Sequence, residues 1–247
     1  MEIILDYQRA LERAAALFGE NNALKIWIPE AGFDSALEDN GSLSFTRDTS
    51  ENGEKSYYGF GIGPNPPRDK RWSDFSLPQS VEISEESGFE IEGRWEVFER
   101  GVAALAPFDE GLGSEIAAHL IVNRDESDLG SMTDFLAAHA PTSSTFPGSD
   151  EVIAWVSLRS EGGALLAVAA ITKWESGGIV LSSVAVDAEQ RGKGLGQRLM
   201  FEVESAARER GISYLVLAVL SGNEAAVALY KKCGWKLLEK FFYYSKS

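Results

Sequence analysis

Two hydrophobic periods alternate along the 247-residue chain, and they divide it into unlike halves. At the N-terminus Leu11, Ala14, Ala15 and Phe18 recur at helical spacing, which predicts an amphipathic helix over Leu5 to Phe18. The breakers Gly19 to Asn22 would end it. Alternating segments at Ala23 to Ile28, Ser42 to Thr46 and Ser56 to Ile62 read as strands. Tyr58 to Pro67 is glycine-rich, but prolines rather than a helix follow, so it reads as a strand edge and turn. Arg68 to Glu86 is polar with few apolar anchors, the pattern of a linker. From Phe89 the periods strengthen. Phe89 to Val102 holds one or two strands, with Trp95, Val97 and Phe98 on apolar faces. Asp109 to Val122 and Ser127 to His139 carry helical stripes. Strands are expected near Val152 to Leu158, Ala164 to Trp174 and Ile179 to Val186, the second closing at a Ser176-Gly-Gly turn.

The stretch Leu181 to Arg198 (LSSVAVDAEQRGKGLGQR) carries the first sign of chemistry. It reads as a strand, a tight loop, and a helix from about Gly194 to Arg208 whose Leu195, Leu199, Val203 and Ala206 share a face. Gly192, Gly194 and Gly196 let the backbone turn sharply and approach a ligand without Cβ interference. Unpaired amides at a helix start favour phosphate, and Lys193 and Arg198 add positive charge. The glycines do not fit the dinucleotide pattern G-x-G-x-x-G or the ATP-binding G-x-x-x-x-G-K-[ST]. They form Arg191-x-x-Gly194-x-Gly196, directly behind VAVD. A second block stands further on, from Asn223 through Ala226, Leu229 and Tyr230 to Gly234 and Trp235.

These two blocks resemble the GNAT family of acetyl-CoA-dependent acetyltransferases, whose pyrophosphate loop reads [QR]-x-x-G-x-[GA] and whose later motif reads N-x-x-A-x-x-L-Y-x-x-x-G-[FW]. The resemblance implies the acyl-CoA N-acyltransferase fold, an α+β sandwich around a mixed, mostly antiparallel sheet. It covers residues 90–247, preceded by a small α/β extension or accessory domain over 1–89. It implies that Val184, Ala185 and Val186 pair with the pantetheine arm, and that Arg191, Gly192, Lys193, Gly194, Leu195 and Gly196 hold the pyrophosphate. Tyr230 would protonate the departing thiolate, although a tyrosine there could equally be a packed core residue. Asn223 would cap its helix within the S-x-x-E spacing of Ser221 to Glu224, or also touch the pantetheine. The expected activity is transfer of an acetyl group from acetyl-CoA, as co-substrate, to a primary amine of a small molecule or peptide by direct attack. Two other readings stand beside it: a non-catalytic acyl-CoA-binding module, and a two-domain thiol-biosynthesis acetyltransferase.

The general base has no motif. Ribosomal-protein N-terminal acetyltransferases of this family carry a glutamate in an L-E-V context; here the segment is Leu217-Ala218-Val219. Glu175, Glu96 and Glu99 are the remaining carboxylates to consider, with a water chain as the alternative. Phe241 to Tyr244 would line the acceptor pocket with alternate members, and a short final strand pair would leave room for a second subunit in a homodimer. Cys233, three residues beyond Tyr230, reads as a packed side chain, because neither His119 nor His139 sits in a partnering motif.

Charge and composition narrow the partners. Residues 1–150 hold 28 acids and 11 bases, net −17, against 10 acids and 12 bases, net +2, in 151–247. That balance disfavours nucleic acid; it reads first as a solvated, solubilising surface, with attraction of a cationic amine as the alternative. One cysteine and two scattered histidines offer neither an internal disulfide nor a metal pattern. No apolar run approaches a membrane span, and no secretory h-region precedes the fold, so a cytoplasmic protein is expected.

Overall fold

The computed structural model describes residues 1–18, 27, 30–83, 87–102, 121–123 and 129–246. Apart from Trp27, the expected strand at Ala23 to Ile28 lies outside those residues, as do His119 and the expected helix from Asp109 as far as residue 120. In chain order the elements are β1 (Glu2–Ile4), α1 (Tyr7–Phe18), β2 (Phe33–Asp39), β3 (Ser42–Asp48), β4 (Tyr57–Ile62), β5 (Asp74–Pro78), β6 (Phe89–Gly101) and β7 (Ile121–Asn123). Then follow α2 (Leu129–His139), β8 (Val152–Arg159), β9 (Leu165–Lys173), β10 (Ile179–Val186), α3 (Leu195–Glu209), β11 (Tyr214–Leu220), α4 (Glu224–Lys232) and β12 (Lys236–Lys246).

The described strands form one sheet in the order β1-β2-β3-β4-β5-β12-β6-β11-β10-β9-β8-β7. It is mixed and mostly antiparallel; the parallel neighbours are β4 with β5 and β10 with β11. β6 carries the chain from the N-terminal strands into the core, pairing with β11 over seven residues and with β12 on its other side. Alternation along β6 sends Phe98 to one face, among Leu195, Leu199 and Tyr230, and Val97 to the other, among Phe60, Val216 and Phe241. The first face is covered by α3 and α4, the second by α1 with the aromatics around Trp27. α2 covers β9 and β10 on the face of Ala185.

Several expectations need correction. The N-terminal helix begins only at Tyr7, because Glu2–Ile4 pair antiparallel with β2, whose strand period the sequence reading passed over. Its buried residues are Tyr7, Ala10 and Ala14, with Leu11 and Phe18 partly covered. Ile121 and Val122 belong to a strand on β8 rather than to a helix. The segment Arg68 to Glu86 is no linker over its described part. Trp72, Phe75 and Leu77 are buried, and the Trp72 indole donates to Thr46 Oγ1 at 2.9 Å. Room for that indole comes from β4, where a Cβ on Gly59 would overlap it. The final strand is not short either: β12 runs for 11 residues and is paired along both edges, with β5 and β6.

Candidate active site

β10 and β11 run parallel but share one registered pair, Val180 with Val216. Beyond it they part. β11 continues to Leu220 paired with β6, while β10 stays with β9 through a bulge between Ser182 and Ala185. Ser183 holds the bulge at φ 52°, and its hydroxyl donates to the Thr145 carbonyl at 2.6 Å. A non-glycine residue in the left-handed region costs free energy that the surrounding contacts must offset. Beyond the bulge, Val184, Ala185 and Val186 have no registered partner on β11. The resulting gap leaves main-chain groups of both strands unmatched in register. That is where an extended polar arm can add itself as a strand.

Behind this gap the chain makes a short 3-10 turn, Ala188–Gln190, capped by Asp187, then turns through Gly192 (φ 78°) and Gly194 (φ 84°) into α3. No side chain caps α3 and its first turn holds no acid, so the leading amides face outward with the positive end of the dipole. The Arg191 guanidinium donates to the carbonyls of Val186 at 3.3 Å and His139 at 3.4 Å, which ties the turn to the end of β10. Lys193 Nζ reaches Gln190 Oε1 at 2.8 Å and remains exposed. A Cβ on Gly196 would lie 3.0 Å from Leu229, so glycine there brings α3 close against α4. Arg198 is engaged with Glu202, one turn on, at 2.5 Å.

α4 presents Tyr230 to the same cluster that holds Leu195, with Val184 and Val186 packed against it. The phenol is 5% exposed, its ring centroid 6.0 Å from those of both Phe98 and Trp235. Burial pushes its pKa far above the ordinary value, so the proton is held at every working pH. The helix is capped by Asn223, whose side chain accepts from Ala226 N at 3.2 Å. The capping-box reading of Ser221 is therefore wrong: it lies two residues before the N-cap, and its hydroxyl is buried without a partner among the described residues. Burial also raises the Cys233 thiol to about 11, which leaves it protonated at neutral pH and unsuited to carry an acyl group. His139 Nδ1 accepts from Ala188 N at 3.3 Å, a structural role.

On the opposite face, beside the outer end of β11, lies a cavity of about 720 Å³, in the range of small-molecule sites. Trp27, Trp95 and Trp174 wall it, the Trp27 ring lying edge-on 5.2 Å from Trp95 and 4.8 Å from Trp174. Ala218, Val219 and Leu220 bring the open end of β11 to it, and Tyr243 from the final strand lines it, while Phe241 stacks on Trp95 at 4.5 Å. None of the three carboxylates weighed from the sequence lines this cavity. Glu175 accepts from Ala31 N at 3.1 Å, Glu99 from the Tyr214 hydroxyl, and Glu96 is buried beside Lys240 at 3.1 Å. The carboxylate among the lining residues is Glu92, at a bulge of β6. Sequence reasoning missed it, along with Trp27, Arg47, Tyr58 and Trp174. Their signal is spread over separate strands, and only the aromatic run at 241–244 hinted at a pocket. Among the described residues no cluster of His, Cys, Asp or Glu could hold a metal, and no helix is long and apolar enough to cross a membrane.

A mixed sheet split between two parallel strands, with a glycine turn and helix behind the split, defines the acyl-CoA N-acyltransferase class of fold. The sequence comparison agrees: residues 122–235 match the model of the acetyltransferase (GNAT) family. L-methionine sulfoximine/L-methionine sulfone acetyltransferase of Pseudomonas aeruginosa is 40% identical over 60 residues, 24% of this chain and 35% of that protein. Thialysine N-epsilon-acetyltransferase of Bos taurus is 39% identical over 61 residues, 25% of this chain and 36% of that one. The chain thus spans about a third of the length of the curated relatives it matches. Among solved structures, a GCN5-related N-acetyltransferase from Kribbella flavida superposes with a TM-score of 0.56 at 15% identity, over 96% of this chain and 95% of that one. A GCN5-related N-acetyltransferase-like protein from Streptococcus suis gives 0.53 at 16% identity, over 98% and 100%. The fold therefore recurs along nearly the whole chain, N-terminal strands included.

Proposed function

We propose that the protein is an acetyl-CoA-dependent N-acetyltransferase that acetylates a primary amine by direct attack. The observation that carries this is the coincidence of three features at one opening of the sheet. These are the parted β10 and β11, the uncapped turn at 191–196, and an acceptor-sized cavity at the free end of β11. The amides from Gly192 to Gly196 would hold the diphosphate. The backbone of Val184 to Val186 would pair with the pantetheine arm and direct an N–H at the thioester carbonyl, a contribution of about 3–4 kcal/mol to the transition state. Tyr230, kept neutral by burial, would give its proton to the departing thiolate. Glu92 is the lining carboxylate, set on β6 beside the end of β11, where the Arg94 carbonyl accepts from Ser221 N at 2.9 Å. It would take the proton of the attacking amine.

Both curated relatives are named as acetyltransferases of amino-acid-like amines, which supports a small-molecule acceptor. Thiol release from acetyl-CoA, followed across a panel of amines, tests the proposal directly. Amine-dependent release is expected. Tight coenzyme A binding without release for any amine would instead favour a binding module.

A further inference from the structure

We propose, resting on the acetyltransferase reading, that the acceptor is a primary amine joined through an extended skeleton, apolar next to the amine, to a carboxylate, and that Arg47 holds that carboxylate. The cavity floor crosses six neighbouring strands, β3-β4-β5-β12-β6-β11, each of which supplies lining residues. Register places those residues on one face: Arg47 opposite Tyr58, Ser76 opposite Tyr243, Tyr243 opposite Gly93, and Trp95 opposite Leu220. Strands stand about 4.8 Å apart, so five intervals put Arg47 roughly 24 Å along the floor from Ala218, less across a twisted sheet. An amine delivered at β11 reaches Arg47 only through a long acceptor.

The polar groups along this path specify the acceptor's chemistry. Arg47 has no ion pair among the described residues, although it lies in the acidic half of the chain. The carboxylates of Asp34 and Asp69 are taken by Arg71, at 2.7 and 2.6 Å. Asp74, on the same side of the sheet, is engaged by the hydroxyls of Ser73 and Tyr243. At the β11 end, beside Trp95 and Trp174, the Trp27 indole N–H is buried with no partner among the described residues, and an unmet buried donor asks for an acceptor atom from whatever fills the cavity. The three indoles around it call for apolar groups. Glu92 is the lining carboxylate at the β11 end, complementary to an ammonium. The order along the trough is therefore amine with apolar groups and an acceptor atom beside it, an extended stretch past Tyr243, Ser76 and Tyr58, then anion. Trp27, Arg47, Tyr58 and Ser76 of the N-terminal region become part of the acceptor site, and the acidic front half does not by itself select a polycationic substrate.

The test compares ω-aminocarboxylates of increasing length with alkylamines of matching length, in wild type, Arg47→Gln and Arg47→Lys. A charge-assisted hydrogen bond at an exposed site should make kcat/KM for the longest aminocarboxylates exceed that of the matched alkylamines about tenfold, mainly through KM. Short members should show no such advantage. Arg47→Gln should bring the ratio near one, and Arg47→Lys should restore part of it. Acetylation without a carboxylate preference, or a preference unchanged in Arg47→Gln, overturns this inference and leaves the acetyltransferase reading standing. No acetylation in either series, with coenzyme A still bound, overturns both.

Discussion

Replacing Tyr230 by phenylalanine removes one oxygen from the centre of the proposed chemistry and little else. The ring packs between Phe98 and Trp235, 6.0 Å from each, and those contacts survive in Phe. The helix also keeps its end, since Trp235 N donates to the Tyr230 carbonyl at 3.0 Å, a main-chain bond. Stability should change by no more than about 1 kcal/mol, measured by urea unfolding. A positioned general acid contributes about 10²–10⁴ in rate, so kcat should fall at least about 100-fold while the Kd for acetyl-CoA stays within a factor of about two. The pH profile adds a second reading. Burial raises this phenol above its ordinary 10.0, so the acid form persists and wild-type activity should show no alkaline limb from Tyr230 up to pH 10. By the same sign, the neutral phenol's contribution to stability is complete below pH 10 and lost as pH rises beyond it. Assays must use a weakly basic amine, so that chemistry rather than amine deprotonation limits the rate. A variant that keeps wild-type kcat under those conditions would refute the acid assignment and return Tyr230 to the core.

Gly194→Ala places a Cβ at φ 84° and should cost about 1–2 kcal/mol; in calorimetry it should weaken acetyl-CoA binding without disturbing Tyr230. Gly59→Ala should destabilise by roughly 1–3 kcal/mol and lift the Trp72 indole from its Thr46 bond, read as a red-shifted tryptophan emission; an unchanged spectrum would mean that segment 68–83 is not docked as described. Arg100→Ala strips Glu204 of a partner whose guanidinium meets both carboxylate oxygens at 3.1 Å, and should cost about 3 kcal/mol at pH 8 by urea unfolding. Burial already raises the Glu204 carboxyl and Arg100 opposes that rise, so the variant's carboxyl moves higher still. Its deficit should therefore shrink as pH falls and the carboxyl becomes neutral, and grow as pH rises.

The parts legible in the sequence were those whose signal is local. Gly192, Gly194 and Gly196 stand within five residues, and α3 follows with Leu195, Leu199 and Val203 on one stripe, so turn and helix could be read together. The strands β8, β9 and β10 carry continuous apolar runs that end in recognisable turns. What escaped the reading depends on distant neighbours. Trp72, Phe75 and Leu77 lie in a polar stretch without clear periodicity, and their burial depends on the missing side chains of Gly59 and Gly61 in another strand. β2 was hidden because Asp34, Glu38 and Asp39 break its apolar pattern; Glu38 and Asp34 are answered by Arg13 and Arg71 from other elements. Six strands contribute to the cavity, so Arg47 and Glu92 carried no mark of function until the sheet order brought them to one face. The absence of a glutamate at Ala218 was legible, but the carboxylate that lines the cavity was not: Glu92 stands on a neighbouring strand at a bulge that no spacing announces.

A crystal structure with coenzyme A bound tests the central claim most directly. The account predicts the diphosphate on the amides of residues 192–196, the arm paired along Val184 to Val186 in the gap facing β11, and the sulfur beside the Tyr230 hydroxyl. A diphosphate seated elsewhere, or a closed gap with the phenol turned from the sulfur, would contradict it.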